Sequence, residues 1–365
     1  MNFSGNQRRA YVLGVVVLAL TVVLCGAWGI WRSSQSTGGA PAATFTPGPE
    51  STASQVDLSA TASPAPAGTV RTTVYYQDNY GYLVPVTRSM AEEPGIAKAT
   101  LSMMVKSAYN DMEAARLGLR TVIPEGTTID LDIQKDGTAH IDLGKQVMKM
   151  ADAAQEANMV AAVVETLTEF PTVKQVSFTI GGTQVEKLTN GTEIGKPFER
   201  GVLNLESTAE GMPVDQAKTV QLYFPGESSA LLVPVTRMVF GNNDIETAML
   251  ELAKGPSAQS PLEGALPPGC GLIGVTVKDG VATINFTSEF IKIAEDSDGG
   301  RAALRALVLT ARQFEGVKEV KLQVEGQPYD PGRATLAIPT FVNDENTVAE
   351  ETLRTQSEAI LEPED

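Results

Sequence analysis

The sequence is short of the residues that carry most catalysis and most covalent stapling: it has two cysteines and one histidine in 365 residues. Cys25 lies in an apolar run and Cys270 in a distant Gly/Pro-rich loop, which excludes a disulfide framework. That is compatible with a reducing compartment, and equally with an exported protein whose core stands without staples. A single histidine without clustered cysteines excludes the familiar zinc sets. Basic residues are also in deficit, 28 Lys and Arg against 44 Asp and Glu, for a formal net charge of −16. Phosphate-rich partners select basic surfaces, so nucleic acid is excluded as a partner. Part of the acid lies after Thr340, where Arg354 is the lone cation; this end, 344–365, reads as an acidic solvated tail.

Charge is missing from Ala10 to Trp31. About 20 helical residues at a rise of ~1.5 Å span the ~30 Å bilayer core, so 10–31 reads as a transmembrane helix. Arg8 and Arg9 precede the run and Arg32 follows it, which places residues 1–9 in the cytoplasm and the remainder outside. A cleaved signal peptide has a shorter apolar core. Lipidation at Cys25 is disfavoured, because bulky Leu24 stands where a lipobox takes a small residue. The segment 32–69 is Ser, Thr, Ala, Gly and Pro with few large apolar residues, and reads as a disordered linker of roughly 30–35 Å mean span.

The rest of the chain is organised by a duplication. Val84-Pro85-Val86-Thr87-Arg88 recurs as Val233-Pro234-Val235-Thr236-Arg237. KDGTAHIDL from Lys135 matches KDGVATINF from Lys278, and EFPTVKQVSFTIGG from Glu169 matches QFEGVKEVKLQVEG from Gln313. The exits agree as well, FERGVLNLE around Asn204 with IPTFVNDE around Asn343, and all offsets lie between about 139 and 149 residues. The two repeats are placed at 70–204 and 218–343.

Each repeat has a physical reading. Tyr75, Tyr76, Leu83 and Val84 flank a polar turn and give a hairpin. A helix follows, from Ile96 in one repeat and Ile245 in the other, the second stopped by Gly255-Pro256. Ile129, Leu131 and Ile133 alternate with polar residues up to Asp136-Gly137, and Ala139, Ile141 and Leu143 alternate on the return, a strong hairpin signal that Asp279-Gly280 repeats. Met159, Val160, Val163, Val164 and Leu167 form one face of a longer helix, and a last strand closes the unit. The fold class is α+β: a transmembrane helix, then two ββαββαβ modules, each a mixed or antiparallel sheet with helices on one face.

The VPVTR strand, the LELAKGP helix end, the LPPGCGLIGVTVKDGVATINFTSEF hairpin and GVKEVKLQVEG together resemble the GerM-domain family of endospore-forming bacteria. The second repeat matches closely; the first departs at VKSAYND and carries an insert, MEAARLGLRTVIPEG. The resemblance spans roughly Val70 to Asn343. It implies a role in sporulation and germination, at the channel assembled between mother cell and forespore, and repeats akin to ring-building modules of secretion systems. Members are often lipoproteins, and Leu24 departs from that pattern.

No HExxH, GxSxG, paired-cysteine or phosphate-loop motif is present. His140 stands alone, with Thr283 at its place in the other repeat, and Asp142 corresponds to Asn285, so the duplicated position does not keep an acid. Asp296-Ser297-Asp298-Gly299 is a fragment of a calcium loop without the distal Glu. Neither enzyme, cofactor nor metal is expected. The duplicated Pro85, Pro234, Arg88 and Arg237 are the candidate interface: proline belongs on an edge strand, and the arginines either meet a partner or bind an acid within the fold. The expected function is a membrane-anchored extracytoplasmic scaffold of the spore envelope. Its partner classes are other envelope or sporulation-complex proteins, self-association, the membrane and peptidoglycan. The alternative is a wall-polymer adaptor, for which Tyr75, Tyr80, Tyr82 and Tyr223 would be the aromatic platform.

Overall fold

A computed structural model describes residues 68–206, 218–226, 231–239, 242–295, 297–332 and 336–345. In the first repeat, β1 (Thr69–Gln77) and β2 (Leu83–Ala91) pair antiparallel, with Tyr75 opposite Pro85 and Tyr76 opposite Val84. Asp78 closes their turn by accepting from the N–H groups of Tyr80 and Tyr82. Two short helices follow, α1 (Ile96–Ser102) and α2 (Ala108–Ala115), the latter N-capped by the Ser107 hydroxyl. β3 (Ile129–Ile133) and β4 (Thr138–Leu143) then turn through Gly137 at a φ of 94°, a conformation glycine adopts without strain. Asp152 caps α3 (Ala153–Thr168), whose Met159, Val160, Val163, Val164 and Leu167 are buried. The chain crosses over to β5 (Gln175–Ile180), parallel to β4, and β6 (Phe198–Glu199) completes the order β3-β4-β5-β6. β7 (Leu205–Glu206) leaves the repeat.

The second repeat runs β8 (Lys218–Pro225), β9 (Leu232–Val239), α4 (Ile245–Lys254), β10 (Leu272–Lys278), β11 (Val281–Phe286), α5 (Ser297–Arg312) and β12 (Glu319–Val324). β13 (Gln327–Tyr329) and β14 (Leu336–Ala337) both pair with β12. Asp279 and Gly280 both have positive φ, the backbone of a type I′ turn, whose twist matches the strands it joins.

The α+β character matches the sequence reading, but the expected fold class is corrected in two respects. First, the transmembrane helix expected over 10–31 lies outside the described residues, and among the described residues no helix is long and apolar enough to cross a membrane. Second, each repeat holds two sheets, not one with helices on a single face. The opening hairpin is separate from the later mixed sheet, and α3 packs against both β1 and β5. α5 does the same between β8 and β12. The burial pattern gives the reason: Thr72 to Tyr76 are buried consecutively, as in strands covered on both faces, where a one-faced sheet would alternate.

Candidate functional site: the seam between the repeats

Proline has no N–H to give a ladder, so Pro85 in β2 and Pro234 in β9 leave gaps in the edge bonding of their strands. Those gaps sit where the repeats meet, because β2 and β9 are in contact. Each edge receives a short parallel segment on its outer side. β7 lies along β9, with Leu205 opposite Thr236 and Glu206 opposite Arg237. Asp344, at the chain's other exit, bridges Thr87 of β2 in the same sense.

Two asparagines tie these segments down. Asn204 accepts from the Leu83 N–H at 2.9 Å and donates to the Leu83 carbonyl at 2.8 Å and the Pro234 carbonyl at 2.7 Å. Asn343 accepts from the Leu232 N–H at 2.8 Å and donates to the Leu232 and Pro85 carbonyls, both at 2.8 Å. Each thus grips the opening of the second strand in its own repeat and reaches the repeated proline of the other. The backbone follows suit: Thr87 donates to the Asn343 carbonyl, and Thr236 to that of Leu203. Asn204 holds a φ of 50°, in the left-handed region that asparagine tolerates better than most residues.

The duplicated arginines complete the crossing. Arg237 is 3% exposed and gives two bonds to Glu206 Oε2, at 2.7 and 3.3 Å. It also reaches the Glu251 carboxylate and the carbonyls of Glu251 and Gly255, so its fork is fully used. Arg88, less deeply buried, binds Glu345 and Glu113 at 2.9 Å each and donates to the Tyr76 hydroxyl. Glu206 comes from the first repeat's exit and Glu345 from the second's, so each arginine is held from the opposite repeat. Arg71 pairs with Asp344 and lies over the Phe341 ring.

A cleft of about 230 Å³ opens on the seam, with Tyr75, Pro85, Arg200, Tyr223, Pro234 and Arg312 among its walls. Arg200 binds Glu165 at 3.2 Å and Glu169 at 2.6 Å and donates to the Tyr75 hydroxyl. Burial pushes the Glu165 carboxyl up, against the pull of Arg200. Burial likewise raises the Tyr75 phenol, with Glu169 adding to it, and pushes Tyr223 up to about 12. These carboxylates already serve a guanidinium, which suits them to holding elements together rather than to proton transfer.

Pro85, Pro234, Arg88 and Arg237, the residues singled out from the sequence, therefore stand together at this seam. Asn204, Asn343, Glu206 and Glu345 were missed, although the two matching exits both carry Asn-x-Glu. Cys25 lies outside the described residues. His140 is exposed on β4, opposite Asp132 and Ser177. Asp142 accepts from the Gly182 N–H and Asn285 from the Gly326 N–H, so that position requires an acceptor to close a turn, not an acid. Tyr75 and Tyr223 are buried, Tyr82 meets Ser260 across the seam at 3.2 Å, and Tyr80 is exposed. Among the described residues no His, Cys, Asp and Glu gather as a metal would need.

A family model described as Germane, sporulation and spore germination, matches residues 73–186 and 221–330, one match on each repeat. This chain belongs to the Germane family. It is 30% identical to the spore germination protein GerM of Bacillus subtilis strain 168, over 72% of this chain and 73% of that one. The solved tandem GerMN domains of the same Bacillus subtilis sporulation protein share 28% identity with it, at a TM-score of 0.64. That match covers 76% of this chain and 99% of the solved one, so the tandem as a whole is a Germane arrangement. A Germane chain has a sporulation-related role, and the two repeats seen in the sequence are its two family domains.

Proposed function

We propose that this Germane chain is a non-enzymatic scaffold of the spore envelope, outside the cytoplasm, and part of a complex linking mother cell and forespore. The observation that carries the reading is the seam. Asn204 and Asn343, with Arg88 and Arg237, fix two family domains into one body by reciprocal bonds. A rigid pair presents two similar surfaces at a fixed spacing, which is what an adaptor between partners needs. The strongest polar groups of the seam are spent on one another, which favours holding over turnover. The supporting relatives are named for sporulation and germination.

The test is crosslinking and pull-down from synchronised sporulating cells, with the chain tagged after Asp365. Recovery of other envelope or channel proteins is expected. Recovery of wall glycan or wall synthases alone would replace the scaffold with a wall adaptor, and turnover of wall fragments by the purified chain would overturn the non-enzymatic reading.

A further inference from the structure

Apart from the Tyr82–Ser260 bond, the bonds described across the seam are made by a short motif used twice. Leu203-Asn204-Leu205-Glu206 and Val342-Asn343-Asp344-Glu345 share the form apolar, Asn, any residue, Glu. Each lies along the VPVTR strand of the opposite repeat: the asparagine donates to its proline carbonyl and the glutamate grips its arginine. In both cases the segment pairs parallel to the strand. Two independent copies with the same contacts mark the VPVTR edge as a recognition site for that motif.

The sequence between Glu206 and Lys218 is the only covalent link from one repeat to the next, and it holds eleven residues. Fully extended, such a length reaches on the order of 36 Å. Nothing in the bonds themselves requires motif and edge to belong to one chain. Because the same contacts run in both directions, the seam is self-complementary, as a two-fold dimer interface is.

We propose that the VPVTR edge of the first repeat also accepts the Val342–Glu345 motif of a second copy of this chain, giving an exchanged dimer with two intermolecular seams. Within one chain the motif is held near its edge at high effective concentration, so the closed monomer dominates in dilute solution. Crowding of copies shifts the balance to exchange. This inference does not depend on the scaffold reading, which the cellular crosslinking decides separately.

The experiment is a charge exchange in the full chain. Arg88→Glu places like charge against its own Glu345, and Glu345→Arg does so against its own Arg88. In a mixed exchanged dimer both pairs are restored, one in natural and one in reversed polarity. Co-refolded at equal amounts, the two variants are expected to give a 1:1 dimer by light scattering, at least tenfold more abundant than with either alone. A mixture that stays monomeric overturns the proposal. If either variant fails to fold, the wild-type chain carrying two tags of different mass decides. Concentrated together and read by native mass spectrometry, it should yield mixed-tag dimers. Their absence overturns the proposal.

Discussion

Asn204 and Asn343 make the same three side-chain hydrogen bonds in opposite directions across one seam. Each satisfies a backbone pair in its own repeat and a proline carbonyl in the other. Their amides have one acceptor and two donors engaged, a pattern no similar-sized side chain reproduces. The repeats are therefore coupled by hydrogen bonds whose loss exposes buried backbone groups in both.

Asn343 is 1% exposed, so Asn343→Ala leaves the Leu232 N–H and two carbonyls without their side-chain partner in a buried site. We expect a loss of about 3 kcal/mol in urea unfolding. Asn343→Asp should be at least as damaging, because it removes both donors and sets a charge against carbonyl oxygens. Asn204→Ala, in a half-buried position, should cost less. A loss below about 1 kcal/mol for Asn343→Ala would show that the seam does not rely on this amide.

Arg237 and Glu206 are 3% and 4% exposed at the side chain, whereas Arg88 and Glu345 are 16% and 23% exposed. Removing one member of a buried pair strands the other, at about 3–5 kcal/mol. Arg237→Met should therefore destabilise more than Arg88→Met in the same thermal or urea titration. Replacing both Arg237 and Glu206 by apolar residues should recover much of the loss. Equal costs for the two arginines would contradict the burial argument.

Tyr223 contributes to an alkaline limb. Its phenol is pushed up to about 12 by burial, against about 10 for an exposed tyrosine. The unfolded chain thus releases this proton first, and the stabilisation is whole below about pH 10 and lost as pH rises from there through about 12. In that window one such group contributes a slope of about −1.4 kcal/mol per pH unit. Tyr223→Phe should make the measured limb shallower by about that amount, at a cost near neutrality of about 1 kcal/mol for the bond to Gln221. An unchanged alkaline slope would refute the assignment.

Asp244 caps α4 by accepting the Thr247 N–H at 2.9 Å, and that bond lowers its carboxyl pKa. The depressed value means the stabilisation is present above the unfolded pKa of about 3.9 and lost as pH falls through and below it. Asp244→Ala should cost about 1 kcal/mol at neutral pH. Asp244→Asn should keep most of that stability while flattening this group's share of the acid limb. Acid titrations of the three proteins, followed by circular dichroism, would separate the outcomes.

Much of the fold can be read along the chain because its signals are local. Asp136-Gly137 and Asp279-Gly280 sit between alternating strands, and the spacing of Met159, Val160, Val163, Val164 and Leu167 is that of one helix face. The duplication itself needs only the two copies of VPVTR and their constant order. Of the seam, the prolines and arginines were visible because they repeat within conspicuous strands. Asn204 and Glu206 were not, since an Asn-x-Glu exit looks like any polar connection until its partners are known.

By itself, then, the sequence determined the repeats, their hairpins and helices, and their acidic, cysteine-poor character, because periodicity and turn chemistry act over a few residues. Only the tertiary structure decided that Thr72 to Tyr76 are covered on both faces, and that each repeat divides into two sheets. It also decided that the exit of each repeat belongs to the edge of the other. The bonds from Asn343 to Pro85 and from Glu345 to Arg88 join residues more than 250 positions apart. No local pattern encodes such a pairing; it follows from two similar surfaces folding against each other about a shared seam.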